Sequence, residues 1–216
     1  MSIAYLAILD YEHLDNGLFL KTFANAVAGH NLDQRGLILH ADSQYTDRII
    51  QTGVMREDAR KRAIKDLNNR LIALFADEGV SAIGLNGYQR ELISSTNGSI
   101  SVDVDQLGKI PHQPMLLLSS LIHSYDTGGP QSAPLADVAR SLQAALDIEH
   151  TFIFARSDDA EIIKKDLPES IEEVDDQASF IKENVPEEFH EKRLSAKLVS
   201  ANDFRRYPDL KNFTQL

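Results

Sequence analysis

The chain contains no cysteine, which excludes disulfides and thiolate metal sites and leaves the redox compartment open. No apolar run approaches the ~20 residues that a bilayer-spanning helix needs, so no membrane partner is expected. The opening stretch MSIAYLAILDYEHLD lacks a basic region ahead of its apolar residues and turns acidic too soon for a secretory signal. A cytoplasmic location is the expectation. There is no G-x-x-x-x-G-K-[ST] loop, and Gly128-Gly129-Pro130 is followed by neither lysine nor helix, so it reads as a turn. No serine lies in G-x-S-x-G, which leaves hydrolase chemistry without support. Internal repeats and low-complexity tracts are absent too.

Positive charge is scarce. Against 33 Asp and Glu stand 22 Lys and Arg, for a net charge of −11 and an isoelectric point near 5.0. Such a balance repels phosphate backbones. The one basic cluster, Arg56, Arg60, Lys61, Arg62, Lys65 and Arg70, is interrupted by Glu57, Asp58 and Asp66, so it reads as a solvated helix face and no nucleic-acid partner is expected. The run Glu169–Asp176 reads as solvated acidic surface. The seven histidines are scattered. Glu187, His190 and Glu191 share a helical face but lack further ligands, so no metal site is assigned.

What is present is an ordinary globular pattern, 43% hydrophobic and 25% charged over 216 residues, enough for one sizeable α/β core. Residues 1–216 are read as a single α/β domain, with 158–216 an acidic, less regular part. The chain is organised around Asn68–Ile93. There Leu71, Ile72, Leu74 and Phe75 fall at helical spacing, Gly79 stops the helix, and Val80, Ala82, Ile83 and Leu85 predict a strand buried on both faces. Asn86-Gly87 turns the chain at that strand's carboxyl end, where open α/β sheets place ligands.

Ahead of it, Ile3–Leu9 predicts a first strand. Asp15 or Asn16 then caps a helix with Leu18, Leu20, Phe23, Ala24 and Val27 inward. Gly36–His40 predicts a second strand, and helices follow from Ser43 to Gly53 and from Glu57 to Asp77. Parallel pairing through right-handed crossovers follows. Beyond Leu92, Asn97-Gly98 marks a hairpin. Met115–Ile122 (MLLLSSLI) fits either a helix or a strand. Leu135, Val138, Ala139, Leu142, Ala145 and Leu146 make one helical face, ahead of a strand at His150-TFIFA. Short helices are expected at Asp175–Glu183 and Glu187–Leu194, and a last strand at Lys197-Leu-Val.

Three segments resemble the amino acid kinase family, and within it acetylglutamate kinases. GLILHADSQYTDRIIQTGV resembles the family's V-H-G-G-G-P loop and amphipathic helix. LNNRLIALFADEGVSAIGLNGYQRELI resembles V-N-K-x-L-V-x-x-L-x-x-x-G-x-x-A-V-G-L-x-G. SAPLADVARSLQAALDIEHTFIFA resembles N-I-N-A-D and the helix and strand after it. The resemblance spans residues 3–157 as a kinase-like core. It implies a three-layer αβα sandwich with a mainly parallel central sheet, ATP-dependent phosphorylation of a carboxylate, and a homodimer. On this alignment MLLLSSLI is a core strand.

The functional letters of that family are largely replaced. Where it ends its first strand in lysine before two glycines, this chain has Leu9 and then Asp10-Tyr11-Glu12. Its second glycine loop aligns with Ala41-Asp42-Ser43, and glycine amides that would approach phosphate give way to a carboxylate. The family asparagine aligns with Leu135, its Thr-Asp strand end with Ala155-Arg156, and its late lysine-bearing glycine loop has no counterpart after Ser157. The helix it places between Ile110 and Met115 is missing. Asp137 keeps its family letter; it either organises catalytic lysines or caps its helix. Arg56 aligns with a substrate-binding arginine, and His40, Ser43, Asn86 and Gly87 complete a candidate ligand set, His40 serving equally as a core-edge histidine. The reading is a degenerate acetylglutamate kinase-like protein, a pseudokinase with a binding or assembly role. No cofactor is expected for it. An active carboxylate kinase would need ATP and Mg²⁺, with Lys109, Lys164 or Lys197 replacing the missing cations; a sensor of a small acidic amino-acid derivative is the third reading.

Overall fold

The computed structural model describes residues 3–30, 35–156, 167–191, 194–210 and 213–216. Its centre is β1 (Ile3–Leu9), an uncharged strand whose alternation serves two cores at once. Tyr5, Ala7 and Leu9 face one side of the sheet and Leu6 and Ile8 the other, as a strand covered on both faces requires. Helix α1 (Gly17–Ala28) begins where Asn16 accepts the Phe19 N–H at 3.0 Å, the side-chain cap that frees helix donors from needing water. It buries Phe19, Leu20, Phe23, Ala24 and Val27. Leu18, expected inward, is 46% exposed, because its position one residue before Phe19 turns it off the apolar stripe.

The chain continues through β2 (Arg35–His40), α2 (Tyr45–Gln51), α3 (Arg56–Asp77), β3 (Ala82–Asn86), β4 (Ile93–Thr96), β5 (Ser99–Val102), α4 (Val104–Gly108), β6 (Met115–Ser119), β7 (Leu121–Ser124) and β8 (Gly129–Ser132). After these come α5 (Leu135–Leu146), β9 (Thr151–Phe154), α6 (Gln177–Asn184), β10 (Lys197–Val199), α7 (Ala201–Phe204) and β11 (Thr214–Gln215). Seven strands form the main sheet in the order β11-β10-β9-β1-β2-β6-β3, parallel throughout except for β11. Helices α1, α3 and α7 cover one face and α5 the other, so the architecture is a three-layer αβα sandwich.

Two apolar runs sit differently from expectation. β3 was expected to be covered on both faces, yet it is the edge strand beyond β6 and its first four residues are only half-buried. The run MLLLSSLI divides at Ser119-Ser120. Its first half is β6 in the main sheet, and its second half is β7 in a four-stranded sheet of order β5-β4-β7-β8. The hairpin between β4 and β5 turns at Asn97 and Gly98, with φ of 51° and 75°, the left-handed pair that a tight two-residue turn demands. The expected helix from Glu187 shortens to a 3-10 turn, Glu187–Phe189. β10 forms as expected and joins β9, while α7 and β11 are additions.

On the α1 side, aromatic rings make up much of the core. Tyr5 meets Phe204 and Tyr207 edge-to-face at 5.2 Å each, and Phe23 meets Phe154 at 5.2 Å. Such pairs add about 0.5–1.5 kcal/mol beyond the area they bury.

Candidate functional site

The topology points to one crevice. From β1 the chain crosses to β2 on one side, whereas β9 lies on the other side and leads outward to β10. The gap at the carboxyl ends of β1 and β9 is therefore the switch point at which open α/β sheets take ligands. A cavity of about 310 Å³ lies there, lined by Asp10, Tyr11, Glu12, Pro186, Glu187 and Glu188. Four of its six lining side chains are carboxylates.

Behind the cavity sits a clasp. Asp10 Oδ2 lies 2.6 Å from His13 Nδ1, and His13 Nε2 lies 3.1 Å from the Ala155 carbonyl, with both side chains buried. Both ring nitrogens thus face acceptors, which suits an imidazolium donating twice. Burial lowers the His13 pKa, but attraction to Asp10 and the hydrogen bonds to Asp10 and Ala155 outweigh it, and the net shift is upward. The remaining Asp10 oxygen accepts the Glu12 N–H at 2.8 Å. Neither the aspartate nor the histidine is left with a charge to offer a ligand.

Arg156 is equally engaged. Its Nε donates to Glu12 at 2.7 Å, its Nη1 to the Lys182 carbonyl at 3.2 Å, and its backbone N–H to the Asn184 carbonyl at 2.7 Å. It therefore ties the end of β9 to the β1 loop and to α6. Glu188 closes the far wall by accepting the Leu135 N–H at 2.9 Å, so a carboxylate of the chain itself occupies the positive end of α5. Sequence reading passed over His13 and Glu188. The Asp-x-x-His spacing was a usable signal for the first; the second lies 53 residues from its partner and had none.

The candidate ligand residues lie elsewhere on the same edge. His40 ends β2 fully buried, its Nδ1 3.0 Å from the Ala41 carbonyl, and burial pushes its pKa down to about 4. Ser43, also buried, accepts the Tyr45 N–H at 3.2 Å and holds the turn into α2. Asp42 in the same loop is ion-paired with Arg60 at 3.0 Å. Asn86 Oδ1 accepts the Ser119 hydroxyl at 2.9 Å, fastening β3 to β6. A Cβ on Gly87 would lie 3.1 Å from the Leu121 carbonyl oxygen and 3.2 Å from that of Ser119, so glycine lets the chain cross close to the β6–β7 bend. Arg56 is exposed at the start of α3. Asp137 lies in the first turn of α5, 3.5 Å from Arg140. The structure thus places Asn86 and Gly87 beside β6, His40 and Ser43 on β2 and its loop, and Asp137 on α5. The position after Ser157, and Lys164, lie outside the described residues. Among the described residues no three His, Asp or Glu side chains are grouped to hold a metal ion, and no helix is long and apolar enough to cross a membrane.

No protein-family model and no curated protein sequence matches the chain. Solved structures do. An isopentenyl phosphate kinase superposes with a TM-score of 0.65 at 11% identity, covering 98% of this chain and 98% of that one. Aspartate kinase from Synechocystis gives 0.62 at 13%, covering 91% of this chain and 38% of its own. N-acetylglutamate synthase from Neisseria gonorrhoeae, in complex with coenzyme A and L-arginine, gives 0.58 at 13%, covering 97% and 60%. At these identities the likeness is one of fold, and the fold is that of the amino acid kinases.

Proposed function

We propose that this chain is a non-catalytic member of the amino acid kinase fold, a degenerate acetylglutamate kinase-like protein that uses the scaffold for binding or assembly. The observation carrying this reading is the wall of the switch-point cavity, which carries Asp10, Glu12, Glu187 and Glu188 while the cations beside it, His13 and Arg156, are already paired with Asp10 and Glu12. Phosphoryl transfer depends on cations and backbone amides aimed at the phosphate oxygens. A polyphosphate entering here finds those cations taken and meets the carboxylates of Glu187 and Glu188 instead. Each unit-charge repulsion at 4 Å amounts to roughly 1 kcal/mol in water and roughly 4 at an effective dielectric of 20.

Isothermal titration with ATP and Mg²⁺ tests the proposal, and no measurable heat is expected. Micromolar binding that is lost when the Ala41–Ser43 loop is altered would refute it. So would acyl phosphate trapped as hydroxamate from any N-acetylated amino acid, the product of an active carboxyl phosphotransferase. A thermal shift with an acidic amino-acid derivative, without turnover, would turn the assignment to a sensor.

A further inference from the structure

The seam between β1 and β9 is laced at one end only. Leu6 pairs with Thr151 and Ala7 with Phe152, and among the described residues the ladder goes no further. Yet β1 stays paired with β2 as far as Leu9, and β9 with β10 as far as Phe154. Toward the cavity the two strand ends are joined by side chains instead. His13 Nε2 lies 3.1 Å from the Ala155 carbonyl, and Arg156 Nε donates to Glu12 at 2.7 Å. The loop after β1, which lines one wall of the cavity, is thus fastened to β9 by one histidine and one arginine.

The two ties answer differently to pH. A guanidinium keeps its charge over the whole range in which histidine titrates, so Arg156 holds Glu12 throughout. His13 reaches two acceptors at once, Asp10 Oδ2 at 2.6 Å and the Ala155 carbonyl, and only an imidazolium has an N–H for each. A neutral ring keeps one proton. The carboxylate is the stronger acceptor, so that proton stays on Nδ1, and the Nε2 lone pair is left facing the carbonyl oxygen, which repels it. We propose that His13 is a proton-operated latch: its imidazolium binds the carboxyl ends of β1 and β9 together, and loss of one proton releases Ala155 and widens the seam beside the cavity.

The surroundings leave the switch to this one group. Phe19 of α1 lies 4.3 Å from the His13 ring and Phe154 of β9 lies 6.2 Å away, and neither titrates. The charged groups around it are Asp10 and Glu12 of its own loop and Arg156 at the end of β9, which is engaged with Glu12. Asp10 and Glu12 both favour the charged ring, and the net shift of its pKa is upward from 6.5. The latch is therefore shut in acid and at the ordinary histidine value, and it opens as pH climbs through the raised one. The inference rests on the clasp and stands whichever ligand the cavity takes.

The chain has no tryptophan, so Tyr11→Trp sets a single indole in the cavity wall. Acrylamide quenching of that indole is expected to rise at least twofold between about pH 6 and about pH 9, with the midpoint of the His13 ring read by NMR in the same protein. His13→Lys keeps an ammonium for both acceptors and should hold quenching low throughout, and His13→Gln should make it independent of pH. Quenching that stays flat while the His13 ring titrates overturns the proposal, as does a pH dependence that survives both substitutions. If a substitution abolishes the circular dichroism of the fold, hydrogen exchange in the unsubstituted chain decides. At Phe152, the last residue of β9 paired across the seam, exchange corrected for the intrinsic effect of pH must quicken above the His13 midpoint, and exchange that does not quicken overturns the proposal.

Discussion

His40 makes the fold measurably sensitive to acid. Its ring is fully buried at the end of β2 and its pKa stands at about 4 against an ordinary 6.5. Between those values the unfolded chain binds a proton that the folded one does not, so stability rises with pH in that window and falls as acid is added. The full loss is the shift of about 2.5 units at 1.36 kcal/mol each, or about 3 kcal/mol. Near pH 5 it is about 2 kcal/mol, the unfolded histidine being almost wholly protonated and the folded one scarcely so. His40→Gln keeps an amide donor for the Ala41 carbonyl and does not titrate. The assay is urea unfolding of both proteins between about pH 7 and about pH 5, compared as a difference so that the acid groups they share cancel. The native chain is expected to lose about 2 kcal/mol more than the variant across that interval. Parallel stability curves would refute the argument and show that the buried ring is hydrated or charged. His13 acts in the opposite sense: with its pKa raised, its contribution is complete below the unfolded value near 6.5 and is lost as pH climbs through the folded one.

Two further outcomes follow from the same geometry. Asp10→Asn removes the partner of the buried His13 imidazolium and should cost about 3–5 kcal/mol, the range for leaving a buried charge unpaired; equilibrium denaturation of Asp10→Asn, His13→Gln and the double variant reads the coupling, and additive effects would dismiss the clasp. Gly36→Ala drives a methyl to 2.3 Å from the Tyr5 ring, which Phe152, Phe204 and Tyr207 hold in place. Overpacking of this kind costs about 1–3 kcal/mol or more, visible as a lower denaturation midpoint, and an unchanged midpoint would mean that the aromatic cluster yields freely.

Much of the layer architecture was legible because helical and strand periods differ so plainly around α1, α3 and α5. The misreadings share one cause. An apolar run reports that a segment avoids water, not what covers it, and β3 and β6 carry equally apolar letters although one is an edge and the other is flanked on both sides. The division of MLLLSSLI between two sheets rests on a bend at Ser119-Ser120 that no local period announces. At the site, the loss of lysines and glycines could be read letter by letter against the resemblance. The closure of the cavity could not, since Arg156 reaches Glu12 across 144 positions and Glu188 reaches Leu135 across 53. Contacts at such separations leave no trace in spacing.

The Tyr207 hydroxyl donates to the Ala4 carbonyl at 2.7 Å, joining residues 203 positions apart. The strand at the middle of the sheet is thus synthesised 203 positions ahead of its roof. While the ribosome works through the intervening chain, Tyr5 and its neighbours have no lasting cover from Phe204 and Tyr207. Nucleation around β1 and β2 alone leaves that aromatic wall incomplete, so the closing step joins segments far apart in sequence, a long-range event of the kind that slows folding.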